Sequence, residues 1–246
     1  MIRPKQIPQT DPHFIKKILP YFTLLESYFG YEVIGLENIP ARGPGLVVMN
    51  HGVIPFHTFI LAKQIFVKSG RVARGLGARF LFEIPWVRDF FMKGGAVNAS
   101  PKNAMALLKE GNLVLLAPGG IYEALITQPG MKKIPWQKRL GFVEIACKMN
   151  VPIIPSYCQG INEVYFNSRI LLRKRIKLLR KFWFSLPLFF GIGLLPFPVK
   201  LIHYIGKPIS TRAKRGEDDL TRVKRIHQKV LAAMRELRDQ PTKKPS

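Results

Sequence analysis

Apolar positions along this chain fall into two kinds of run. Residues 14–29 place Phe14, Ile15, Ile18, Leu19, Phe22, Leu25 and Phe29 at helical spacing, which predicts an amphipathic, aromatic-rich helix. Lys16 and Lys17 stand near its start, and Pro20 lies inside it at a position that can kink it. Such a helix either packs on a core or lies in a membrane interface. Short apolar runs of another kind read as buried strands: Leu46-Val47-Val48-Met49, residues 113–117 and residues 151–157. Residues 31–34 also read as a strand. Helical patterns fill the intervals at 58–67, 141–149 and 218–237. The last presents Leu220, Val223, Ile226, Val230, Met234 and Leu237 on one face. A further helix is expected from Ser100 as N-cap and Pro101 at the first helical position to a stop at Gly111.

Strands alternating with helices predict an α/β fold, a single domain whose central sheet is mainly parallel and flanked by helices. This domain is expected over 31–240, preceded by an N-terminal interfacial helix region at 1–30 and followed by a basic tail at 241–246. No internal repeat and no second domain is evident.

Charge changes this picture. Among 246 residues, 39 Lys+Arg stand against 15 Asp+Glu, a formal net charge of +24. Such an excess calls for an anionic partner, nucleic acid or an anionic membrane surface. The membrane is favoured because basic residues stand beside large apolar stretches, and no nucleic-acid-binding motif is present. Residues 169–181 carry seven basic residues interleaved with Ile and Leu, and 182–199 follow without one charge. That run has the length of a membrane span, yet Pro187, Pro196, Pro198, Gly191 and Gly193 argue against a clean spanning helix. It reads as an interfacial or substrate-channel segment. Residues 1–10 are polar and proline-rich, so no signal peptide is expected. Cys147 and Cys158 lack metal spacing and sit in apolar surroundings, as buried thiols in a reducing compartment would. Together these features predict a protein on the cytoplasmic face of a membrane.

The candidate chemistry centres on His51, which follows the 46–49 strand through Asn50. Sites in open α/β sheets lie at such strand ends. An imidazole titrates near ~6.5, a value suited to moving a proton at neutral pH. No acidic residue occurs between Glu37 and Glu83, so His51 has no carboxylate partner nearby in sequence. His57 is the next histidine, and the pair lacks a third ligand for a metal. Pro118-Gly119-Gly120 makes a tight loop into a helix start near Glu123, where a negative charge is favoured as a cap or as a partner to His51.

Four stretches carry a family resemblance: Gly35-Leu36-Glu37-Asn38-Ile39-Pro40 ahead of Asn50-His51; Gly94-Gly95-Ala96-Val97-Asn98-Ala99-Ser100; Pro118-Gly119-Gly120-Ile121-Tyr122-Glu123-Ala124-Leu125; and Gly141-Phe142 with Val151-Pro152-Ile153-Ile154-Pro155. In order and spacing over 31–210 they resemble the glycerolipid acyltransferase superfamily, nearest its diacylglycerol acyltransferase-like branch. The resemblance implies acyl transfer from a thioester, acyl-CoA or acyl carrier protein as co-substrate, to a hydroxyl. No resident cofactor or metal is implied. The catalytic roles fall on His51 as general base, with His57 and Glu123 in support. Substrate contacts are assigned to Gly119, Gly120, Asn98 and Arg79, and the Gly119-Gly120 amides are candidate donors to the oxyanion.

Two departures from the family matter. Its histidine is followed by an acidic residue that orients the ring, and the corresponding positions here are Phe56 and His57. A neutral His57 can accept a hydrogen bond from His51 but cannot stabilise an imidazolium as a carboxylate does. Phosphate-binding members carry an arginine in their glutamate-glycine-threonine-arginine block, whereas 118–125 here holds no basic residue. A neutral lipid acceptor is therefore expected, unless Arg74, Arg79 or Lys93 reaches the site from elsewhere. The alternatives are a lysophospholipid acyltransferase and a relative that binds lipid or acyl-CoA without turnover.

Overall fold

In a computed structural model, described here for residues 7–168, 170–182, 188–193 and 195–241, the chain forms a seven-stranded sheet with helices on both faces. Asp11 opens α1 (Pro12–Tyr28) by accepting the Phe14 N–H at 2.9 Å, with proline in the first turn. β1 (Glu32–Ile34) and β2 (Gly45–Met49) follow, then α2 (Phe56–Ser69), β3 (Arg74–Gly77), α3 (Pro85–Lys93) and β4 (Val97–Asn98). Ser100 caps α4 (Pro101–Lys109) through the Asn103 N–H, and the chain turns at Gly111 in the left-handed region. β5 (Leu113–Leu116), α5 (Gly120–Ile126), α6 (Gly141–Met149) and β6 (Ile153–Gln159) complete the centre. β7 (Phe166–Asn167), α7 (Leu172–Phe182), β8 (Phe189–Phe190), β9 (Ile202–Ile205) and α8 (Asp219–Arg238) close the chain.

The sheet order is β1-β9-β6-β2-β5-β3-β4. β6, β2, β5, β3 and β4 run parallel, while β9 lies antiparallel to β6 and β1 follows β9. The sheet is therefore mainly parallel, with a reversed pair at one side. β2 is buried on both faces, its Leu46, Val47, Val48 and Met49 at most 1% exposed. Full burial of each such side chain contributes about 1.5–3 kcal/mol. Leu46 and Val48 face α4, α6 and α8, and Val47 and Met49 face α2.

The parallel strands all end at one border of the sheet, hereafter the carboxyl edge. The link after β2 leads to α2 on one face; the link after β5 leads through α5 to α6 on the other. The crevice between the ends of β2 and β5 is a topological switch point, where open α/β sheets place their sites. Within 182–199, β8 pairs antiparallel with β7 at Phe166↔Phe190, whereas 183–187 and 194 lie outside the described residues. Most of the expected 241–246 tail and Arg169 of the basic run lie outside them too. No described helix is long and apolar enough to cross a membrane.

Candidate active site

Asn50 and Gly52 set where His51 emerges from the sheet. Asn50 is buried, and its side chain extends the β2–β6 ladder by one rung. Its Nδ2 donates to the Cys158 carbonyl at 3.0 Å, and its Oδ1 accepts the Cys158 N–H at 2.9 Å. Gly52 passes so near Ile161 that a Cβ there would lie 2.7 Å from Ile161 Cγ1. His51 itself is half-buried, and its Nδ1–H donates to the Gly52 carbonyl. That bond selects the tautomer whose Nε2 carries the lone pair. Burial holds the imidazole below its ordinary pKa, partly offset by the Gly52 carbonyl, so the ring is neutral and basic at neutral pH.

Glu123 fastens α5 to His51 from below. It is 2% exposed and accepts the Trp136 Nε1–H at 2.9 Å. The backbone N–H groups of His51 and Gly119 also favour its charged form. One turn on, Thr127 Oγ1 donates to the His51 carbonyl at 3.1 Å. Burial pushes Glu123 up to about 7 despite these donors, which oppose the rise. The two loop glycines serve different needs. A Cβ on Gly119 would lie 2.0 Å from Glu123 Oε2, and Gly120 holds a φ of +51° with open space around it. Asn167 secures the far end of α5, its Nδ2 donating to the carbonyls of Ala124, Leu125 and Thr127.

His57 does not make the expected bond to the His51 ring. It is turned into the core at 0% exposure, where its Nε2 pairs with the Asn50 carbonyl at 3.0 Å and its Nδ1 has no hydrogen-bond partner. Its ring packs on His203, centroids 5.2 Å apart. His203 in turn pairs with Tyr31 OH at 2.7 Å and with Ser156 Oγ. Burial, then the neighbouring His51, pushes His57 down to about 3, and His203 is held well below the usual imidazole range by burial and by His57. This buried cluster is neutral, and the Gly52 carbonyl, in place of the expected His57, pairs with the His51 ring.

The remaining sequence candidates are spread along the carboxyl edge. Asn98 ends β4, three strands from β2 and on the order of 14 Å away at ordinary strand spacing. Arg79 follows β3, two strands away, exposed and paired with Glu83 at 3.1 Å. Neither strand neighbours β2. Arg74, at the opposite end of β3, is buried and donates to the Gly95 and Pro8 carbonyls, both at 2.7 Å. Lys93 sits 5.9 Å over the Phe14 ring. Of the two loop amides, the Gly120 N–H donates to the Ala117 carbonyl at 3.0 Å. Among the described residues no cluster of three or more His, Cys, Asp or Glu is arranged to hold a metal.

Sequence reasoning missed Trp136, His203, Thr127 and Asn167. His203 lies in an apolar run, Leu201-Ile202-His203-Tyr204-Ile205, where one polar residue in a buried strand was the available signal. Trp136 sits in a Pro- and Lys-rich loop with no periodic signal, and only the fold brings it to Glu123.

Residues 29–246 match the model of the family described as diacylglycerol acyltransferase. The human protein named "DGAT1/2-independent enzyme synthesizing storage lipids" is 36% identical over 182 residues, 74% of this chain and 54% of that protein. An uncharacterised protein of Mycobacterium tuberculosis is 33% identical over 218 residues, 82% of this chain and 58% of its own length. The chain thus spans just over half the length of these curated relatives. Among solved structures, the 1-acyl-sn-glycerophosphate acyltransferase PlsC of Thermotoga maritima superposes with a TM-score of 0.56 at 20% identity, covering 92% of this chain and 81% of that one. That likeness concerns the fold. With the family pattern matched from the end of α1 onward, this chain belongs to the diacylglycerol acyltransferase family.

Proposed function

We propose that this protein transfers a fatty acyl group from a thioester, acyl-CoA or acyl carrier protein, to the hydroxyl of a neutral glycerolipid or long-chain alcohol. It works on the cytoplasmic face of an anionic membrane. One observation carries the reading: His51 stands at the switch point with Nδ1 tied to a backbone carbonyl and Nε2 left as a base. In the proposed step Nε2 takes the acceptor's proton as the hydroxyl oxygen attacks the thioester carbonyl. The tetrahedral intermediate collapses, the C–S bond breaks, and the departing thiolate recovers the proton from the imidazolium. The products are an ester and a free thiol. Glu123 positions His51 by holding its backbone and does not touch the reacting atoms.

A neutral acceptor is supported by the loop and helix after β5, although Arg139 lies 6.0 Å over the Tyr122 ring beside them. Residues 118–125 hold no basic side chain, Arg74 and Lys93 are engaged elsewhere, and Arg79 is paired with Glu83. A phosphate head would call for Arg or a helix N-terminus. The second reading, a lipid- or acyl-CoA-binding relative without turnover, draws on the neutral His57. In the serine-protease template, neutralising the orienting aspartate costs roughly 10^4 in rate. The test is acyl transfer by purified protein on anionic vesicles with labelled acyl-CoA, offering diacylglycerol or lysophosphatidate beside the His51→Ala variant. Diacylglycerol product that vanishes in the variant is expected. A strong preference for lysophosphatidate would reverse the acceptor assignment, and no product from either protein would favour the binding-only reading.

A further inference from the structure

Among the described residues, several of the large apolar side chains left in solvent group at the carboxyl edge, and Tyr21 and Leu24 are exposed along α1, which ends there. On the β1-β9-β6 side, Tyr28 precedes β1, Phe166 lies on the link leaving β6, and Phe190, Ile192 and Leu195 precede β9. Leu195 is 65% exposed. They form one patch: Phe166 pairs with Phe190, Ile192 bridges to Leu195, and the Tyr28 hydroxyl donates to the Pro196 carbonyl at 2.6 Å. On the other side Trp86, 76% exposed, opens α3 just after β3. Between these rims the strand order places β2 and β5, and therefore His51. Among the described residues the opposite border carries single exposed apolar residues on separate elements, Ile34 at the end of β1, Val67 near the end of α2 and Leu220 at the start of α8. Scattered residues of that kind are ordinary on soluble surfaces, whereas a grouped patch marks a contact.

Charge identifies the occupant. α7 packs against α5, which begins at this edge, and presents Arg173, Lys174 and Lys177 to solvent without one carboxylate. Apolar side chains beside a cationic helix match the interfacial layer of an anionic bilayer. A second copy of the chain would bring a like-charged helix and another +24 to the same place. We propose that the carboxyl edge is the face that docks on an anionic bilayer, so that His51 opens into the headgroup layer between its two apolar rims. This rests on the membrane association proposed above and not on the chemistry.

Flotation with phosphatidylcholine vesicles, with and without phosphatidylserine, tests it. Trp86→Ser with Leu195→Ser is expected to lower binding at least tenfold, and Val67→Ser with Leu220→Ser to leave it unchanged. Replacing Arg173, Lys174 and Lys177 by Ser is expected to weaken binding only where phosphatidylserine is present, by roughly fivefold per charge. Circular dichroism confirms that each variant is folded. Equal losses in the two double variants, or a loss in neither, overturn the proposal. A change of oligomeric state in the edge variant with flotation intact would assign the face to a second copy and overturn it as well. His51→Ala is expected to float like its parent. Docking and acyl transfer therefore fail separately, because a chain that floats by this edge yet moves no acyl group keeps the first and loses the second.

Discussion

In the proposed reaction His51 acts beside a histidine where the family resemblance implies an acid, and the two rings do not share a hydrogen bond. The Gly52 carbonyl fixes the tautomer but leaves the imidazolium without a counter-charge. The acid limb of kcat/KM is therefore expected below the usual imidazole range, since burial lowers His51. His57→Asp puts a carboxylate within electrostatic range of His51. It should move that limb up by about one pH unit or more and raise kcat; an unmoved limb would show that position 57 does not act on the base. Glu123 gives a second pH signature. Its carboxyl titrates at about 7 when folded, against 4.5 as a free side chain. Between those values the folded chain holds a proton that the unfolded chain releases. The associated stability is complete below 4.5 and is lost as pH rises through 7. Urea midpoints at pH 5 and pH 8 should fall more steeply for the parent than for Glu123→Gln, and parallel slopes would refute the assignment. At this scale the sequence exposed His51, because an imidazole after a buried strand is conspicuous. It hid the Glu123 environment, because Trp136 reaches that carboxyl only through tertiary packing.

α5 shows how a short element acquires a fixed place. Seven residues give little intrinsic helix stability, since nucleation is costly. This helix is held from outside, by Glu123 accepting the Trp136 Nε1–H and by Asn167 on its last carbonyls. Gly119 is needed for room and not for backbone freedom, its φ being −75°. Gly119→Ala should displace the Glu123 carboxyl and cut acyl transfer by about tenfold or more, with a loss of stability of about 1–3 kcal/mol from the strained packing. Unchanged activity would mean that the carboxyl is not required where it stands. The pattern of apolar runs made β2, β5, β6, α4, α6 and α8 legible, since each is long or strongly periodic. β3, β4, β9 and α3 were not read: β4 has two residues, β3 is Arg-Gly-Leu-Gly, and α3 has no buried residue. The reversal of β1 and β9 is a matter of pairing, which no local pattern records.

For the whole molecule, the proposed docking face joins the charge excess to the apolar side chains grouped at one edge of the sheet. The buried histidines add a global constraint. His57 and His203 must stay neutral to remain buried, so acidification favours the unfolded chain, where both bind protons near their ordinary pKa. The sheet order has one more consequence. β2, which delivers His51, is made early, yet its partners β5 and β6 come much later in the chain, Leu46 pairing with Val114 on one side and Ile153 on the other. During synthesis the central strand leaves the ribosome with both backbone borders vacant. The strand that carries His51 thus exists well before either of its partners, a period in which a fully apolar strand needs shelter from other nascent chains.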